Sequence, residues 1–527
     1  MIGSGDRFRQ VHVGALALAA VMLPWSEFLL SNAQFLLIGN WLVEGIVRKD
    51  LVGRFKRAFT SGPCLVFISF FALHVLGLLW TEDLGWGLDL CRILLPVIAF
   101  APVLASSSRL SAKEFRTILL LGAWSTVAST MVCLTLRYDV IGRGGYRELS
   151  IFISHIRLAL LLCFSIAVFV LQWPGQLWKR VSHALGIGWC IFFLDRMSSL
   201  LGFAILGLIG TYIIWQWSSS QQKITRLITR AFLMALPIAC VGYARWCAFN
   251  YHASETMDLS RLETTSAGGE RYFNDTLNLQ HENGHHVWIQ IADGELERAW
   301  NRRSRLDYHH LEQADQPFRS TLVRYMSSMG LRKDSIGALA LTDADIQRIE
   351  LGVSSVLTGR RDPIRARIDQ VLYEVERFRE TGNASGYSVA MRYEFLRAGW
   401  AIAQEHPFTG VGTGDTRPAF AAQYEHMSSP LEERWRLRAH NQYLTLLISF
   451  GMFGLLWSLF AWLWPAWRLG ATKTPLFVCW AIVFGVSCLS EDTVETQMGA
   501  TFFAFYYALL VFSAPVTRSA DPPIDAR

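Results

Sequence analysis

Charged residues are scarce in this chain: Asp, Glu, Lys and Arg make up 17% of its 527 residues. Hydrophobic residues account for 52%, and the sequence contains 20 Trp and 33 Phe. This composition is too apolar and too aromatic for a soluble protein of this length. A cleavable signal peptide is not evident, because the polar stretch 1–10 leads into an apolar segment without a small-residue cleavage site. We therefore expect a membrane protein.

Cysteine is absent from the polar segment between Asn250 and Arg438, so this segment offers no disulfide framework. All nine cysteines of the chain lie in or beside apolar stretches. Cysteines in such surroundings are typically small buried hydrophobic side chains, and we expect the same here.

Apolar stretches that approach the roughly 20 residues needed to span a bilayer recur along the chain. The second and seventh are short enough to be tilted, broken or re-entrant. The predicted fold is an all-α polytopic membrane protein with about twelve transmembrane helices and one large, mainly helical periplasmic loop. The twelve predicted spans lie near 11–30, 33–47, 62–80, 90–105, 116–136, 150–171, 181–195, 197–217, 231–249, 441–467, 475–489 and 499–515. The predicted domains are spans one to nine in 1–249, the loop in 250–438, spans ten to twelve in 439–517 and a cytoplasmic tail in 518–527.

Basic residues predict the orientation of these spans, because Lys and Arg accumulate in cytoplasmic loops. Even-numbered spans from two to ten are followed by basic residues, such as Lys56 and Arg57 after the second. The opposite loops, including 81–89 and 490–497, are acidic or neutral. Both termini are then cytoplasmic, and the segment 250–438 is periplasmic in a Gram-negative cell. We expect the bacterial inner membrane.

The stretch 439–454, AHNQYLTLLISFGMFG, places His440 and Asn441 where the polar segment meets the tenth span. At about 100° per residue, Gly451 and Gly454 lie on nearly the same helical face as His440. Small residues on that face allow a neighbouring backbone to approach closely. His440 is either a functional imidazole at the outer boundary or a histidine that only reaches toward water.

Ionisable residues inside apolar spans are costly and usually serve a ligand, an ion or a partner. Here they lie at predicted outer boundaries: His155 and Arg157 in span six, Arg196 between spans seven and eight, and Arg92 at span four. Arginine suits phosphate, because its guanidinium stays charged and binds two oxygens at once. A shared pyrophosphate site would explain why all of these residues lie at the outer boundary. For Arg196 alone, an ion pair with the neighbouring Asp195 is an alternative explanation.

The predicted external loop 137–150 carries Arg137, Arg143 and Arg147 around a Gly-Gly pair. Basic residues resist translocation, so three of them outside require a reason. Two explanations stay open. The loop binds an anionic ligand at the outer membrane face, or it is a solvated loop that neutralises lipid head groups.

Two strings in the segment 250–438 resemble known motifs only weakly. HENGH at 281–285 matches the HExxH of zinc proteases, but that motif requires a helix, and Asn-Gly favours a hairpin. TGVGTGDT at 409–416 has glycines at alternate positions, which could hold a phosphate through backbone N–H groups. The favoured interpretation is a tight loop that returns the chain to the membrane.

His440-Asn441, nine further residues and then Gly451-Met-Phe-Gly454 resemble the H-N-x9-G-x-x-G signature of the bacterial O-antigen ligase family. That family belongs to the Wzy-type membrane glycosyltransferase superfamily. Arg392, Trp400 and HPFTGVG at 406–412 resemble its R…W…hP-x-x-G-x-G segment.

Asp195-Arg196-Met-Ser-Ser resembles a further family motif, S-R-x-x at a transmembrane boundary, with Asp in place of the usual Ser or Thr. The region 250–378 matches no family pattern. The resemblance implies a GT-C-type glycosyltransferase that acts on undecaprenyl-diphosphate-linked glycan without a cofactor, a nucleotide sugar or a metal. The acceptor would be lipid A–core sugar, another glycan chain or a protein. Membrane lipids surround such an enzyme, and no nucleic acid is expected.

Attack by a sugar hydroxyl on an anomeric carbon needs a proton acceptor and relief of the charge that grows on the pyrophosphate. The resemblance implies His440 as the base and Arg196 and Arg392 as the groups that hold the pyrophosphate. We expect the remaining site residues to bind substrate or orient His440: Arg157, His155, Arg143, Arg147, Arg92, Asn441, Glu491 and Asp492. Glu491 and Asp492 also satisfy ordinary topology for an acidic external loop.

Three functions are ranked on this basis. An O-antigen ligase is favoured by the histidine and glycine signature and by the short tail after span twelve, which lacks the further segment of protein-glycosylating relatives. An O-antigen polymerase comes second, because it shares the fold and the arginine chemistry. A transporter or flippase for lipid-linked sugar is third. It would place charged residues near the bilayer midplane, whereas here they lie at the predicted outer boundary.

Overall fold

The computed structural model describes residues 4–138, 146–251, 262–276, 278, 280–310, 317–357 and 363–515. Helices dominate these residues. The first eleven are α1 (Ser4–Met22), α2 (Glu27–Val47), α3 (Leu51–Thr60), α4 (Gly62–Leu76), α5 (Leu84–Ile93), α6 (Leu95–Ser106), α7 (Ala112–Leu136), α8 (His155–Leu171), α9 (Leu177–Arg196), α10 (Leu200–Ser218) and α11 (Lys223–Phe249). The next ten are α12 (Asp293–Asn301), α13 (Phe318–Ser328), α14 (Ser335–Leu339), α15 (Asp343–Glu350), α16 (Pro363–Thr381), α17 (Ser388–Glu405), α18 (Thr416–His426), α19 (Gln442–Arg468), α20 (Pro475–Ser490) and α21 (Gln497–Ala508).

Six helical segments of the described chain are long and apolar enough to cross a membrane. They are Gly62–Trp80, Leu84–Ser106, Ala112–Leu136, Leu200–Ser218, Lys223–Phe249 and Gln442–Arg468. Three shorter apolar helices accompany them: His155–Leu171, Pro475–Ser490 and Gln497–Ser513. The expectation of an all-α protein with several apolar spans is confirmed, while the count of twelve crossings and the periplasmic placement of the loop stay predictions. The two spans expected to be short, α2 and α9, are continuous helices of 21 and 20 residues.

The chain divides into two compact units. Among the described residues, the first contains 4–138, 146–230 and 392–515, and the second contains those between 231 and 391. The polar segment 250–438 is therefore shared between them, with its last part, 392–438, in the first unit.

The first unit is built around α21. Every residue from Met498 to Ser513 is buried, the last five in a π-helical turn. Aromatic rings supply much of this packing: Tyr507 stacks on Phe67 at 4.1 Å, and Phe503 stacks on Phe484 at 4.6 Å between ring centroids. Such offset stacks add to the stabilisation that comes from burying the rings.

Two ends of the first unit differ in charge. At one end, Asn441 before α19 contacts Leu489 at the end of α20, Arg157 of α8 contacts Thr496, and Glu82 contacts Asp415. We call this the His440 end. Basic residues such as Arg57 and Arg109 lie at the opposite end, where Arg109 donates to the carbonyl of Ala514 at 3.1 Å. Which of the two ends faces the cytoplasm stays a prediction.

Helix α19 breaks at Gly451, where φ is 64° and ψ is −169°. This conformation is open essentially to glycine alone. The loop 407–414 fills the break: its N–H groups donate to the carbonyls of Ile448 and Ser449, both at 2.9 Å. Backbone groups in an apolar medium need such internal partners. The close backbone approach expected at Gly451 is present, but a loop makes it rather than a helix, and α19 is not one straight helix.

The second unit contains the hairpin that the Asn-Gly pair predicted. Strands β1 (His281–Glu282) and β2 (His285–His286) pair antiparallel, and Asn283 and Gly284 both have positive φ. The HExxH string therefore lies on a hairpin rather than a helix. Lys333 lies beneath it and donates to the carbonyls of His286 and Ile289, and burial lowers the pKa of Lys333 to about 8.

A separate apolar core holds the second unit together. Trp300, Phe318 and Tyr325 are almost fully buried there. Helices α15, α16 and α17 account for much of the helical character predicted for the segment 250–438. Eight of the nine cysteines are buried as expected, but Cys240 on α11 is exposed, so that expectation is wrong at this position.

Gly451→Ala is expected to destabilise the protein more than the matched variant Gly470→Ala. Both glycines have positive φ, 64° and 76°, so each substitution stores backbone strain of about 1–3 kcal/mol. Only at Gly451 would the added methyl group also collide with the backbone of Phe408, whereas nothing lies near Gly470. Thermal unfolding of the detergent-purified variants measures the difference. Equal decreases in Tm would contradict the tight fit of the loop in the break.

Candidate active site

His440 lies directly before α19 with φ 47°, in the left-handed region that non-glycine residues seldom adopt. Asn441 fixes this position from the next residue. Its side-chain oxygen accepts from the N–H of Leu444 at 3.0 Å, and its amide donates to the carbonyl of Leu489 at 3.1 Å. The hydrogen bond with Leu444 caps the start of α19. The hydrogen bond with Leu489 connects the start of α19 to the end of α20. The imidazole is thereby held at a rigid helix terminus and stays 37% exposed.

A carboxylate connects His440 to a buried arginine. Oε2 of Glu491 lies 3.9 Å from Nδ1 of His440 and 3.8 Å from Nη1 of Arg157. Nε of Arg157 donates to Thr496 at 3.2 Å. The Arg157 side chain is only 8% exposed, and its Nη1 has no hydrogen-bond partner among the described residues. A buried guanidinium nitrogen without an acceptor is costly, so it is a ready donor for a bound anion.

Helix α17 brings Arg392 toward the same place. Gly399 lets α17 approach α19 closely, since an added Cβ there would meet Leu444 at 2.9 Å. One turn earlier, the ring of Phe395 lies 5.9 Å from the ring of His440. Arg392 precedes Phe395 by three residues, which places it about 4.5 Å further along the same helix. Arg392 is exposed there, beyond the start of α19.

A second ionic network lies beside the first. Arg438 forms an ion pair with Glu495, and its Nη2 lies 3.8 Å from Asp492. Asp492 also accepts from the hydroxyl of Thr445 at 2.6 Å, which anchors it to α19. Burial disfavours the charged form of Arg438. The carboxylates of Glu495 and Asp492 outweigh this effect and raise the pKa of the Arg438 guanidinium. For Glu495 burial dominates and raises the pKa of the carboxyl, against the opposing effect of Arg438.

An indole stack completes this side of the His440 end. The guanidinium of Arg417 lies 3.3 Å from the centroid of the Trp86 ring, and that of Arg438 lies 5.7 Å from it. Burial and then the neighbouring cation of Arg438 lower the pKa of Arg417. Trp86 belongs to α5, whereas Arg417 belongs to α18. The fold therefore brings together residues that are far apart in the sequence.

The remaining predicted arginines have local partners. Arg196 ends α9 at the end of the helix pair where α8 begins, and it donates to Asp195 at 2.6 Å. Its other described contact is with the ring of Phe192 at 5.4 Å. Arg92 donates to Asp89 at 3.2 Å and is 65% exposed. Among the described contacts, none joins Arg196 or Arg92 to His440.

Three predicted residues at the start of α8 or in the loop before it complete the set. His155 is the first residue of α8. Arg143 lies outside the described residues. Arg147 lies in the short 3₁₀ turn Tyr146–Leu149, and its side chain is outside the described part of the chain.

The glycine loop 407–414 holds the bundle rather than an anion. The N–H groups of Val411 and Gly412 donate to α19, and that of Gly414 donates to the hydroxyl of Thr81 at 3.2 Å. Asp415, directly after the loop, accepts from two backbone N–H groups of the turn before α5, both at 2.8 Å. The N–H groups of residues 411–414 are in use, which supports the favoured interpretation of a tight connecting loop over a phosphate cradle.

Sequence reasoning missed Arg438, Arg417 and Trp86. Arg438 had a usable signal, because it is a basic residue two positions before His440 at a predicted membrane boundary. Trp86 and Arg417 offered none, since only packing of α5 against the His440 end brings an indole under a guanidinium.

Residues 351–459 match a family model described as O-Antigen ligase. The match supports an O-antigen ligase family member. It contains Arg392, the loop 407–414 and His440, so the resemblance predicted from the sequence is confirmed on this segment. No curated protein matches the chain.

The O-antigen ligase family implies a glycosyltransferase-like enzyme and, in general terms, lipid-linked glycan and lipid A–core substrates. Together with the apolar helices, the match indicates a multi-pass membrane protein of lipopolysaccharide biosynthesis. Within the described residues, no group of three or more His, Cys, Asp or Glu side chains is arranged to hold a metal ion.

Arg438→Met is expected to destabilise the protein by about 3 kcal/mol, because it leaves the buried carboxylate of Glu495 without its partner. The double variant Arg438→Met/Glu495→Met should be more stable than the single variant, since it removes both charges. Thermal unfolding in detergent measures both effects. A double variant as unstable as Arg438→Met would show that the ion pair does not couple the two side chains.

Proposed function

We propose that this protein is an O-antigen ligase, which transfers a glycan from undecaprenyl diphosphate to lipid A–core oligosaccharide at the periplasmic face of the inner membrane. The observation that carries the proposal is the placement of His440 at a capped helix start, with Glu491 between it and the buried guanidinium of Arg157. The family match to residues 351–459 supports the superfamily and the general class of substrate.

His440 is the proposed base. The carboxylate of Glu491 faces Nδ1 and favours the tautomer that carries its proton there, which leaves Nε2 free to accept one. At 3.9 Å the contact is longer than a hydrogen bond, so it tightens or is bridged by water when substrate binds. Left-handed backbone at a chemically competent residue fits a role in function, because strain of this kind concentrates at active sites.

The arginines are proposed to bind the pyrophosphate. Arg157 of α8 offers its Nη1, which lies 3.8 Å from Glu491 but makes no hydrogen bond within the described residues, and Arg392 of α17 offers an exposed guanidinium. Arg196 lies at the same end of the α8–α9 pair as Arg157 and would have to exchange its contact with Asp195 for one with phosphate. Fixed cations stabilise charge that develops on a leaving group without any reorganisation at the moment of reaction.

The proposed reaction is a single displacement. The acceptor hydroxyl oxygen forms a bond to the anomeric carbon as the bond from that carbon to the pyrophosphate oxygen breaks. Nε2 of His440 takes the hydroxyl proton, and undecaprenyl diphosphate leaves with the electron pair of the broken bond. One displacement inverts the anomeric configuration. Asn441 positions the imidazole, because both ends of its side chain are engaged with α19 and α20.

Deletion of the gene in a strain of known surface polysaccharide tests the assignment. Lipid A–core without O-antigen is the result expected for a ligase. Core that carries a single repeat would instead identify an O-antigen polymerase of the same superfamily. Accumulation of lipid-linked glycan on the cytoplasmic side would identify a transporter or flippase.

His440→Ala and His440→Asn are both expected to abolish transfer between purified lipid-linked glycan and rough lipopolysaccharide, while Tm stays unchanged. Asn tolerates positive φ, so the second variant separates loss of the base from backbone strain. His426→Ala, an exposed histidine on α18, is the matched control and should retain activity. Turnover at the normal rate in His440→Asn would remove the base assignment.

Arg157→Lys is expected to raise KM for the lipid-linked donor about tenfold, because lysine keeps the charge but loses the planar fork that binds two phosphate oxygens. Arg116→Lys is a suitable control, since Arg116 is a partly buried arginine at the opposite end that donates to the carbonyl of Gln172. Initial rates at varied donor concentration measure KM. An unchanged KM for Arg157→Lys would argue that Arg157 serves only to pair Glu491.

A further inference from the structure

Arg417 is an arginine without a partner for its charge. Its guanidinium lies flat on Trp86 at 3.3 Å from the ring centroid, and within the described residues it makes no ion pair and no hydrogen bond. A flat stack of this kind fixes the plane of the guanidinium and leaves its N–H groups free at the edge. The side chain is exposed, so a ligand can reach that edge.

The carboxylates around Arg417, those of Asp83, Asp89 and Glu495, are engaged with other groups. The nearest other cation, Arg438, is already paired with Glu495 and lies close to Asp492. Arg417 is also in the first turn of α18, where the helix dipole is positive and the turn itself contains no acidic residue. The carboxylate of Asp415, which precedes α18, accepts from backbone N–H groups of Glu82 and Asp83 instead of capping the helix.

The net effect of these neighbours is a destabilised cation. Burial and Arg438 lower the pKa of Arg417, although Asp83, Asp89 and Glu495 act in the opposite direction. Like charges side by side cost free energy unless a counter-charge joins them. Within the described residues no carboxylate forms an ion pair with Arg417, so an external anion would supply the direct contact that Asp83, Asp89 and Glu495 do not make.

The indole platform carries an unused donor of its own. Nε1 of Trp86 is buried and has no hydrogen-bond acceptor among the described residues. This observation is independent of the charge on Arg417, and it shows that the indole N–H lacks an acceptor. A guanidinium suits the oxygens of a phosphate group, because its planar N–H groups can contact two oxygens at once.

We propose that Arg417, held flat on Trp86 beside Arg438, binds a phosphate group of a glycolipid substrate. This subsite lies on the side of the His440 end formed by α5 and α18, whereas Arg157 reaches the acidic turn from α8. The assignment to a glycolipid rests on the proposed function. The phosphate belongs either to the diphosphate of the donor or to a phosphate ester on the acceptor.

The test uses the full-length protein in nanodiscs and compares Arg417→Gln with Arg434→Gln. Arg434 is the matched control, because it lies over Trp435 at 5.5 Å but pairs with Glu432 at 2.9 Å. Initial rates are measured at varied donor and at varied acceptor concentration, with the acceptor both intact and enzymatically dephosphorylated. Arg417→Gln is expected to raise one KM about tenfold, the loss typical of one charge-assisted contact, and to leave kcat within about twofold.

The arms of this experiment distinguish the source of the phosphate. A raised KM for the donor assigns the subsite to its diphosphate. A raised KM for the intact acceptor that disappears with the dephosphorylated acceptor assigns the subsite to an acceptor phosphate. No change in either KM, an equal change for both acceptor forms, or the same change in Arg434→Gln overturns the proposal.

A binding measurement separates this proposal from the function on which it rests. The affinity for inorganic pyrophosphate is measured by calorimetry at low salt, with no turnover. Arg417→Gln should weaken it about tenfold and Trp86→Leu should weaken it similarly, while the double variant should add little, because the two residues act as one unit. If the wild-type protein transfers no glycan, this result still supports the anion subsite. Pyrophosphate affinity unchanged in Arg417→Gln overturns the subsite alone.

Discussion

The acidic turn between α20 and α21 holds the His440 end of the first unit together. Its three carboxylates, Glu491, Asp492 and Glu495, each face a cationic or titratable group. Charges at this depth are costly to remove from water, and they are tolerated because each has a partner or a hydrogen bond. The same turn therefore decides where Arg157, Arg438 and His440 lie. Helix α21, which begins directly after it, is buried from Met498 onward and gives the turn a rigid base.

The break in α19 is the second constraint. A helix interrupted in an apolar environment exposes carbonyl groups that must find donors. The loop 407–414 supplies them, and the following Asp415 fastens the chain to the turn before α5. This connection joins the helix that starts at His440 to the helix that carries Trp86. Backbone packing thus places the imidazole of His440 and the guanidinium of Arg417 at the same end of the unit, although the two side chains do not contact each other directly.

The proposed chemistry follows from this separation. Glu491 is close enough to bias the imidazole but does not hold it in a short hydrogen bond, so His440 stays accessible to an acceptor hydroxyl. The arginines approach from different helices: Arg157 from α8, Arg392 from α17 and Arg417 from α18. A substrate with several phosphate oxygens could contact more than one of them. Cations supplied from separate helices suit a large amphiphilic donor better than a single compact pocket would.

The sequence by itself determined the all-α fold class, the presence of several apolar spans and the family resemblance of the His440 stretch, because apolar length and short motifs are local properties of the chain. It also located the Asn283-Gly284 hairpin, since a two-residue turn is specified by its own residues. It did not determine that α19 breaks at Gly451, because a helix with glycine is ambiguous until another segment fills the gap. Nor could it pair Arg417 with Trp86 or Arg438 with Glu495. Those contacts depend on which helix ends meet in space, and only the packing around α21 decides that.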